Sequence, residues 1–148
     1  MEELLKELVE KNRKFAVDGN VANYIPELDK ADKNALGIYV TTLDGQEFFA
    51  GDYNTKFTIQ SISKIISLML AILDNGEEYV FSKVGMEPSG DPFNSIRKLE
   101  TSSRKKPYNP MINAGAIAVA SMIKGKNEKE RFTRLLDFAK LITEDDSL

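Results

Sequence analysis

The residues that could do covalent chemistry are Ser61 and Lys64, which lie three positions apart at the head of the apolar stretch 65–73. The chain contains no histidine and no cysteine. Their absence excludes a Ser-His-Asp triad, a Cys-His pair and any ordinary zinc site built within this sequence. A covalent mechanism would therefore use a hydroxyl as the nucleophile and a lysine, a tyrosine or a carboxylate as the base. Residues three apart are neighbours on a helix, so the Lys64 amine could reach the Ser61 hydroxyl.

The Ser-x-x-Lys pattern is weak by itself, because it begins at five serines of this chain: Ser61, Ser95, Ser102, Ser103 and Ser121. Only Ser61 precedes a long apolar run, which predicts a helix from residue 61 to about 74 that is buried on most sides. The unpaired N–H groups at such a helix start carry partial positive charge, and the Ser61 N–H could donate to an oxyanion. A free lysine has a pKa near ~10.4, and burial beside a positive helix end is expected to lower it. The alternative is structural: Ser61 is an N-cap and Lys64 extends into solvent.

The rest of the chain predicts one hairpin and several helices. Alternating apolar residues on both sides of Asp44-Gly45 predict two antiparallel strands. Helical spacing predicts further helices over 2–16, from 113 to 120 and over 127–142, with Glu130 and Arg134 as a surface pair on the last. A two-stranded sheet is marginal alone, so either the helices cover the hairpin or more sheet comes from outside this chain.

Two other polar residues are candidates for substrate binding. Asn113 precedes a run of very small residues; it is either an N-cap or an amide at the mouth of the Ser61 pocket. Tyr24 and Ile25 are expected in extended backbone, because Pro26 disfavours the helical conformation of Ile25, the residue before it. Tyr24 is either a core aromatic or a hydroxyl directed at the site.

The composition narrows the possible functions. With 148 residues, 42% apolar and 29% charged, the chain is expected to form one soluble globular domain. A net charge of −3 argues against a general nucleic-acid binder. The lack of cysteine fits a reducing compartment, the acidic start is unlike a secretory signal, and no apolar run could span a bilayer. We therefore expect a cytoplasmic location, with neither a nucleic-acid nor a membrane partner.

Together these residues resemble the serine-dependent glutaminases, which share the fold of β-lactamases and penicillin-binding proteins. The matching stretches follow the family's order along the chain: 21–28, 44–45, 51–52, 57–64, 85–90, 93–94 and 109–117. The resemblance implies an α/β (α+β) fold of the β-lactamase/transpeptidase type. Here that fold would be partial, with one β-hairpin plus a cluster of helices and the remaining sheet strands missing. Residues 1–148 would form a single partial domain, the amino-terminal part of a catalytic domain.

The resemblance also implies a reaction, the hydrolysis of L-glutamine to L-glutamate and ammonia without a metal or other cofactor. By position, Ser61 resembles the nucleophile and Lys64 the base, while Tyr24, Gln60 and Asn113 resemble residues that contact glutamine. The family's catalytic regions are longer and supply further substrate-binding residues and an oxyanion-hole N–H. Losing one oxyanion donor costs roughly 10²–10³ in rate, so this chain alone is expected to be almost inactive. Family members are usually homo-oligomers, which implies self-association.

Two alternatives remain open at this point. The first is a serine acyl-transferase of the same fold that acts on β-lactams or cell-wall peptides. The Ser-Asp-Asn element of such enzymes is missing, and Asn109 to Gly115 stand in its place. The second is a non-catalytic fragment that works only by association.

Overall fold

The structure is a computed structural model that describes residues 1–90, 92–95 and 106–148. These residues form two compact units, Met1–Thr58 and Ile59–Leu148. The expectation that the whole chain is one domain stays a prediction. Within the described residues there are five α-helices and one two-stranded sheet.

The first unit consists of helix α1 (Glu2–Arg13) and the hairpin of β1 (Gly37–Thr41) and β2 (Glu47–Gly51). The strands pair antiparallel, which confirms the hairpin predicted from Asp44-Gly45. Gly45 has a φ of +80°, a conformation that glycine adopts without steric cost. One face of the hairpin packs on the buried face of α1, where Leu5 and Val9 meet Ala50.

The second unit carries the other four helices. A 3₁₀ turn (Gln60–Ile62) leads into α2 (Ser63–Asn75), which is followed by α3 (Glu77–Lys83), α4 (Asn113–Met122) and α5 (Glu128–Thr143). The core of this unit is built from six buried residues of α2, α3, α4 and the segments after α3 and α4: Leu70, Ala71, Val80, Val84, Val119 and Ile123. This core packs α2 against α4.

Polar contacts hold the carboxyl-terminal end of α2. The Asn75 side chain donates to the Met122 carbonyl of α4 at 2.8 Å. Asp74 accepts from the Lys124 backbone N–H at 2.8 Å and forms a bidentate ion pair with Arg134. That guanidinium lowers the pKa of the Asp74 carboxyl. Besides Glu130, whose negative charge also acts on it, Arg134 therefore has a hydrogen-bonded partner in the Asp74 side chain, which is only 8% exposed.

None of the helices in the described part of the chain combines the length and apolar character needed to cross a bilayer.

Candidate active site

Lys64 lies in the first turn of α2, and its Nζ is held by two neutral oxygens. Nζ donates to the Met111 carbonyl at 2.8 Å and to Asn113 Oδ1 at 2.7 Å. It also lies 5.8 Å from the centre of the Phe93 ring. The structure thus brings together two of the predicted site residues, Lys64 and Asn113, and does not show Lys64 extended into solvent.

Ser61 lies in the 3₁₀ turn that precedes α2, and it is exposed. No side chain caps this turn or α2, so the alternative that Ser61 is an N-cap is wrong. Within residues 1–90, 92–95 and 106–148 the Ser61 hydroxyl forms no hydrogen bond, and in particular none with Lys64. The hydroxyl is therefore accessible to a ligand at the start of the helix.

Gln60 holds the backbone directly before Ser61 in an unusual conformation. Its φ is +43°, in the left-handed region that costs a residue with a Cβ roughly 1–2 kcal/mol. Ser63 Oγ donates to the Gln60 carbonyl at 2.6 Å, which stabilises the turn. Backbone strain of this kind is concentrated at functional sites. Nothing in the residue type predicts it, since glutamine is not among the residues that favour this region.

Asn113 is the first residue of α4, and its side chain faces Lys64 rather than its own helix. The N-cap position belongs to Ile112, and no side chain caps the helix there. The Asn113 N–H donates to the Phe93 carbonyl at 2.8 Å. The N-cap alternative for Asn113 is therefore wrong, and its amide oxygen is free to orient the lysine.

Asn109 is the residue that sequence reasoning missed. Its Oδ1 accepts from the N–H groups of Met111 at 3.0 Å and Ile112 at 3.2 Å. Its Nδ2 donates to the Glu87 carbonyl at 2.8 Å. The signal for this turn is the Asn-Pro dipeptide, because an asparagine side chain commonly binds the backbone two residues ahead.

Gly115 lets the Asn109 turn lie directly on α4. A Cβ at this position would lie 2.8 Å from the Asn109 carbonyl carbon, 3.1 Å from Pro110 Cα and closer still to the Asn109 carbonyl oxygen. Only a residue without a side chain fits there.

Tyr24 belongs to the other compact unit, and its role stays a prediction. The chain bends at Tyr24 and Ile25 instead of running extended, and the Ile25 carbonyl accepts from the Leu28 N–H at 3.0 Å. Tyr24 is 73% exposed, so it is not a core aromatic.

The other Ser-x-x-Lys matches gain no support. Lys98, Ser102 and Ser103 lie outside the described residues. Ser121 is exposed near the end of α4, and its hydroxyl donates to the Ala118 carbonyl within that helix. The described ranges also contain no cluster of three or more Asp or Glu arranged to hold a metal ion.

The chain is similar in sequence to known proteins. The family model described as Glutaminase matches residues 19–148. A glutaminase of Fusobacterium nucleatum is 94% identical over 148 residues, which are all of this chain and 49% of that protein. A glutaminase of Clostridium botulinum is 62% identical over 143 residues, 97% of this chain and 47% of that protein. The chain spans about half the length of the curated relatives it matches.

The chain is also similar in fold to a solved structure. The probable glutaminase of Bacillus subtilis has 40% sequence identity to this chain and a TM-score of 0.85, covering 97% of this chain and 43% of that one. These structural neighbours are glutaminases with a β-lactamase-like fold, which confirms the predicted fold class and its partial character.

Proposed function

Because the chain belongs to the glutaminase family, we propose that it carries the nucleophile and base of an enzyme that hydrolyses L-glutamine to L-glutamate and ammonia. The observation that supports this most directly is the contact of Lys64 with Asn113 and the Met111 carbonyl beside the exposed Ser61. The names of the relatives supply the substrate class.

In this mechanism Ser61 Oγ attacks the side-chain amide carbon of glutamine and passes its proton to Lys64. The carbon–nitrogen bond then breaks, and the departing nitrogen takes a proton and leaves as ammonia. Water next attacks the glutamyl ester, the carbon–oxygen bond to Ser61 breaks, and the serine recovers its proton. Splitting one difficult step into two is the advantage of a covalent intermediate.

The two partners of Lys64 suit it to the role of base. A neutral amine has two N–H donors and one lone pair, and here two acceptors are in place for those donors. The lone pair then points in the remaining direction, and we propose that it accepts the proton of the Ser61 hydroxyl. Both acceptors are neutral oxygens, and together they fix the position of the Lys64 nitrogen.

The binding roles follow from the same assignment. Asn113, which already orients Lys64, and Gln60, adjacent to the nucleophile, would contact the substrate, and Tyr24 would supply a hydroxyl. The Ser61 N–H would donate to the oxyanion. We expect the 148 residues alone to be almost inactive and the full-length enzyme to be a cytoplasmic homo-oligomer that needs no cofactor.

The test uses a full-length chimera in which this chain replaces the matching part of the Fusobacterium nucleatum relative. Ammonia release from L-glutamine should be readily measured, and Ser61→Ala should abolish it. The matched control is Ser121→Ala, which removes the serine of another Ser-x-x-Lys match and should leave the rate unchanged. Activity that persists in Ser61→Ala, or an intact chimera that does not hydrolyse glutamine, contradicts the proposal.

A further inference from the structure

The turn before α4 contains a polar side chain, that of Asn109, whose amide oxygen and amide nitrogen both form hydrogen bonds. Asn109 is only half-buried, yet its amide uses both ends: Oδ1 accepts from two successive backbone N–H groups and Nδ2 donates to the Glu87 carbonyl. Backbone hydrogen bonds join the same two segments, because the Glu87 N–H donates to the Tyr108 carbonyl at 3.0 Å and the Gly85 N–H to the Pro107 carbonyl at 2.8 Å.

These contacts fix the groups that hold the lysine. Oδ1 of Asn109 binds the Met111 N–H, and the carbonyl of that same residue accepts from Lys64 Nζ. The N–H of the next residue, Ile112, also donates to Asn109 Oδ1. Ile112 is the N-cap of α4, and Asn113 follows it as the first residue of the helix. Both acceptors of Lys64 therefore lie within two residues of a backbone group that Asn109 holds.

We propose that Asn109 is a positioning residue for the base, acting through the Met111 carbonyl and the Asn113 amide to orient Lys64. The inference rests on the proposed glutaminase function, and it goes beyond that function because Asn109 itself touches neither Lys64 nor Ser61 among the described contacts. A misplacement of about 1 Å at a reacting group costs on the order of 10²-fold in rate. Loss of the Asn109 side chain is therefore expected to act mainly on catalysis.

The experiment compares three variants of the full-length chimera. Asn109→Ala should lower kcat/KM for glutamine by about 10²-fold. Asn109→Asp keeps an accepting oxygen for the Met111 and Ile112 N–H groups but loses the Nδ2 donation to the Glu87 carbonyl, and should lower kcat/KM less than Asn109→Ala does. Asn75→Ala is the matched control, because the Asn75 amide also donates to a distant backbone carbonyl, that of Met122 at the carboxyl-terminal end of α4. It should lower Tm about as much as Asn109→Ala while leaving kcat/KM nearly unchanged.

A crystal structure of each variant gives a readout independent of activity. In Asn109→Ala the Met111 carbonyl should no longer lie within hydrogen-bond distance of Lys64 Nζ, whereas in Asn75→Ala that contact should persist. The inference is overturned if the Lys64 contacts survive in Asn109→Ala, if Asn75→Ala loses as much activity, or if the Asp and Ala variants are equally impaired. These outcomes differ from failure of the proposed function, which Ser61→Ala tests alone.

Discussion

Replacing Gly115 by alanine tests whether the Asn109 turn must touch α4 for the site to work. The new Cβ would lie 2.8 Å from the Asn109 carbonyl carbon, whereas carbon atoms in contact prefer about 3.5–4.0 Å. The turn must therefore retreat by on the order of 1 Å, since the obstructing atoms are backbone and have no rotamer to change. The displaced turn carries the Met111 carbonyl and leads into Asn113, which are the two acceptors of Lys64.

Two effects of different size follow from this displacement. Overpacking of a tight contact costs typically about 1–3 kcal/mol of stability, which leaves the protein folded if its stability is ordinary. Misplacement of Lys64 by about 1 Å costs on the order of 10²-fold in kcat/KM. Alanine has the higher helix propensity, by about 1 kcal/mol, so propensity alone would predict a more stable protein.

The assay is ammonia release by the full-length chimera at saturating and limiting glutamine, together with thermal unfolding. Gly90→Ala is the matched control, because a Cβ on Gly90 would meet no atom of the described residues within 4 Å. That variant should retain wild-type activity and stability. A Gly115→Ala protein with kcat/KM within about fivefold of wild type would refute the reasoning, because the expected loss is on the order of 10²-fold.

Two further predictions concern backbone strain and an ion pair. Gln60→Gly and Glu144→Gly each relieve a positive φ, which costs about 1–2 kcal/mol, against about 0.5–1 kcal/mol for the added freedom of glycine. Both should therefore raise Tm slightly, but only Gln60→Gly should lower glutaminase activity; a fall in Tm for both would contradict the strain argument. Asp74→Asn should lower the free energy of unfolding at pH 7 by about 2 kcal/mol, as expected for a hydrogen-bonded charged group, whereas Asp137→Asn, on an exposed residue of α5, should change it little. Because the folded-state pKa of Asp74 is lowered, its contribution is present above the unfolded pKa of about 3.9 and is lost as the pH falls through the folded pKa; unfolding curves in which the Asp74→Asn deficit persists at the lowest pH would contradict this sign.

The sequence predicted the elements of this fold better than the contacts between them. The hairpin followed from local signals at Asp44-Gly45, and the helix after Ser61 followed from the apolar run. The predicted start of this helix at Ser61 was wrong by two residues, because α2 begins at Ser63 after a 3₁₀ turn. The left-handed Gln60 that shapes this start depends on the surrounding structure rather than on residue type.

Long-range partners could not be predicted from local pattern. Arg134 fits a surface pair with Glu130 by spacing, yet its partner is Asp74, 60 residues away. Glu130 instead accepts from the Lys126 N–H, and its own N–H donates to Asn127, a local capping arrangement at the start of α5. The hydrogen bond of Lys64 with Asn113 spans 49 residues and was not predicted, because Asn113 was expected only as an N-cap or as an amide at the mouth of the Ser61 pocket.

The polar contacts at the two ends of α2 differ in kind. At the carboxyl-terminal end a charged pair and the Asn75 amide join the helix to its neighbours, and those contacts need only be stabilising. At the amino-terminal end the same helix is joined to α4 by Lys64, whose partners are two neutral oxygens. A carboxylate there would bind Lys64 Nζ more strongly than a neutral oxygen does. Under the proposed function Lys64 exchanges a proton with Ser61, and two neutral contacts hold its Nζ less strongly than a carboxylate would, so we assign the chemistry to the less strongly tethered end of the helix.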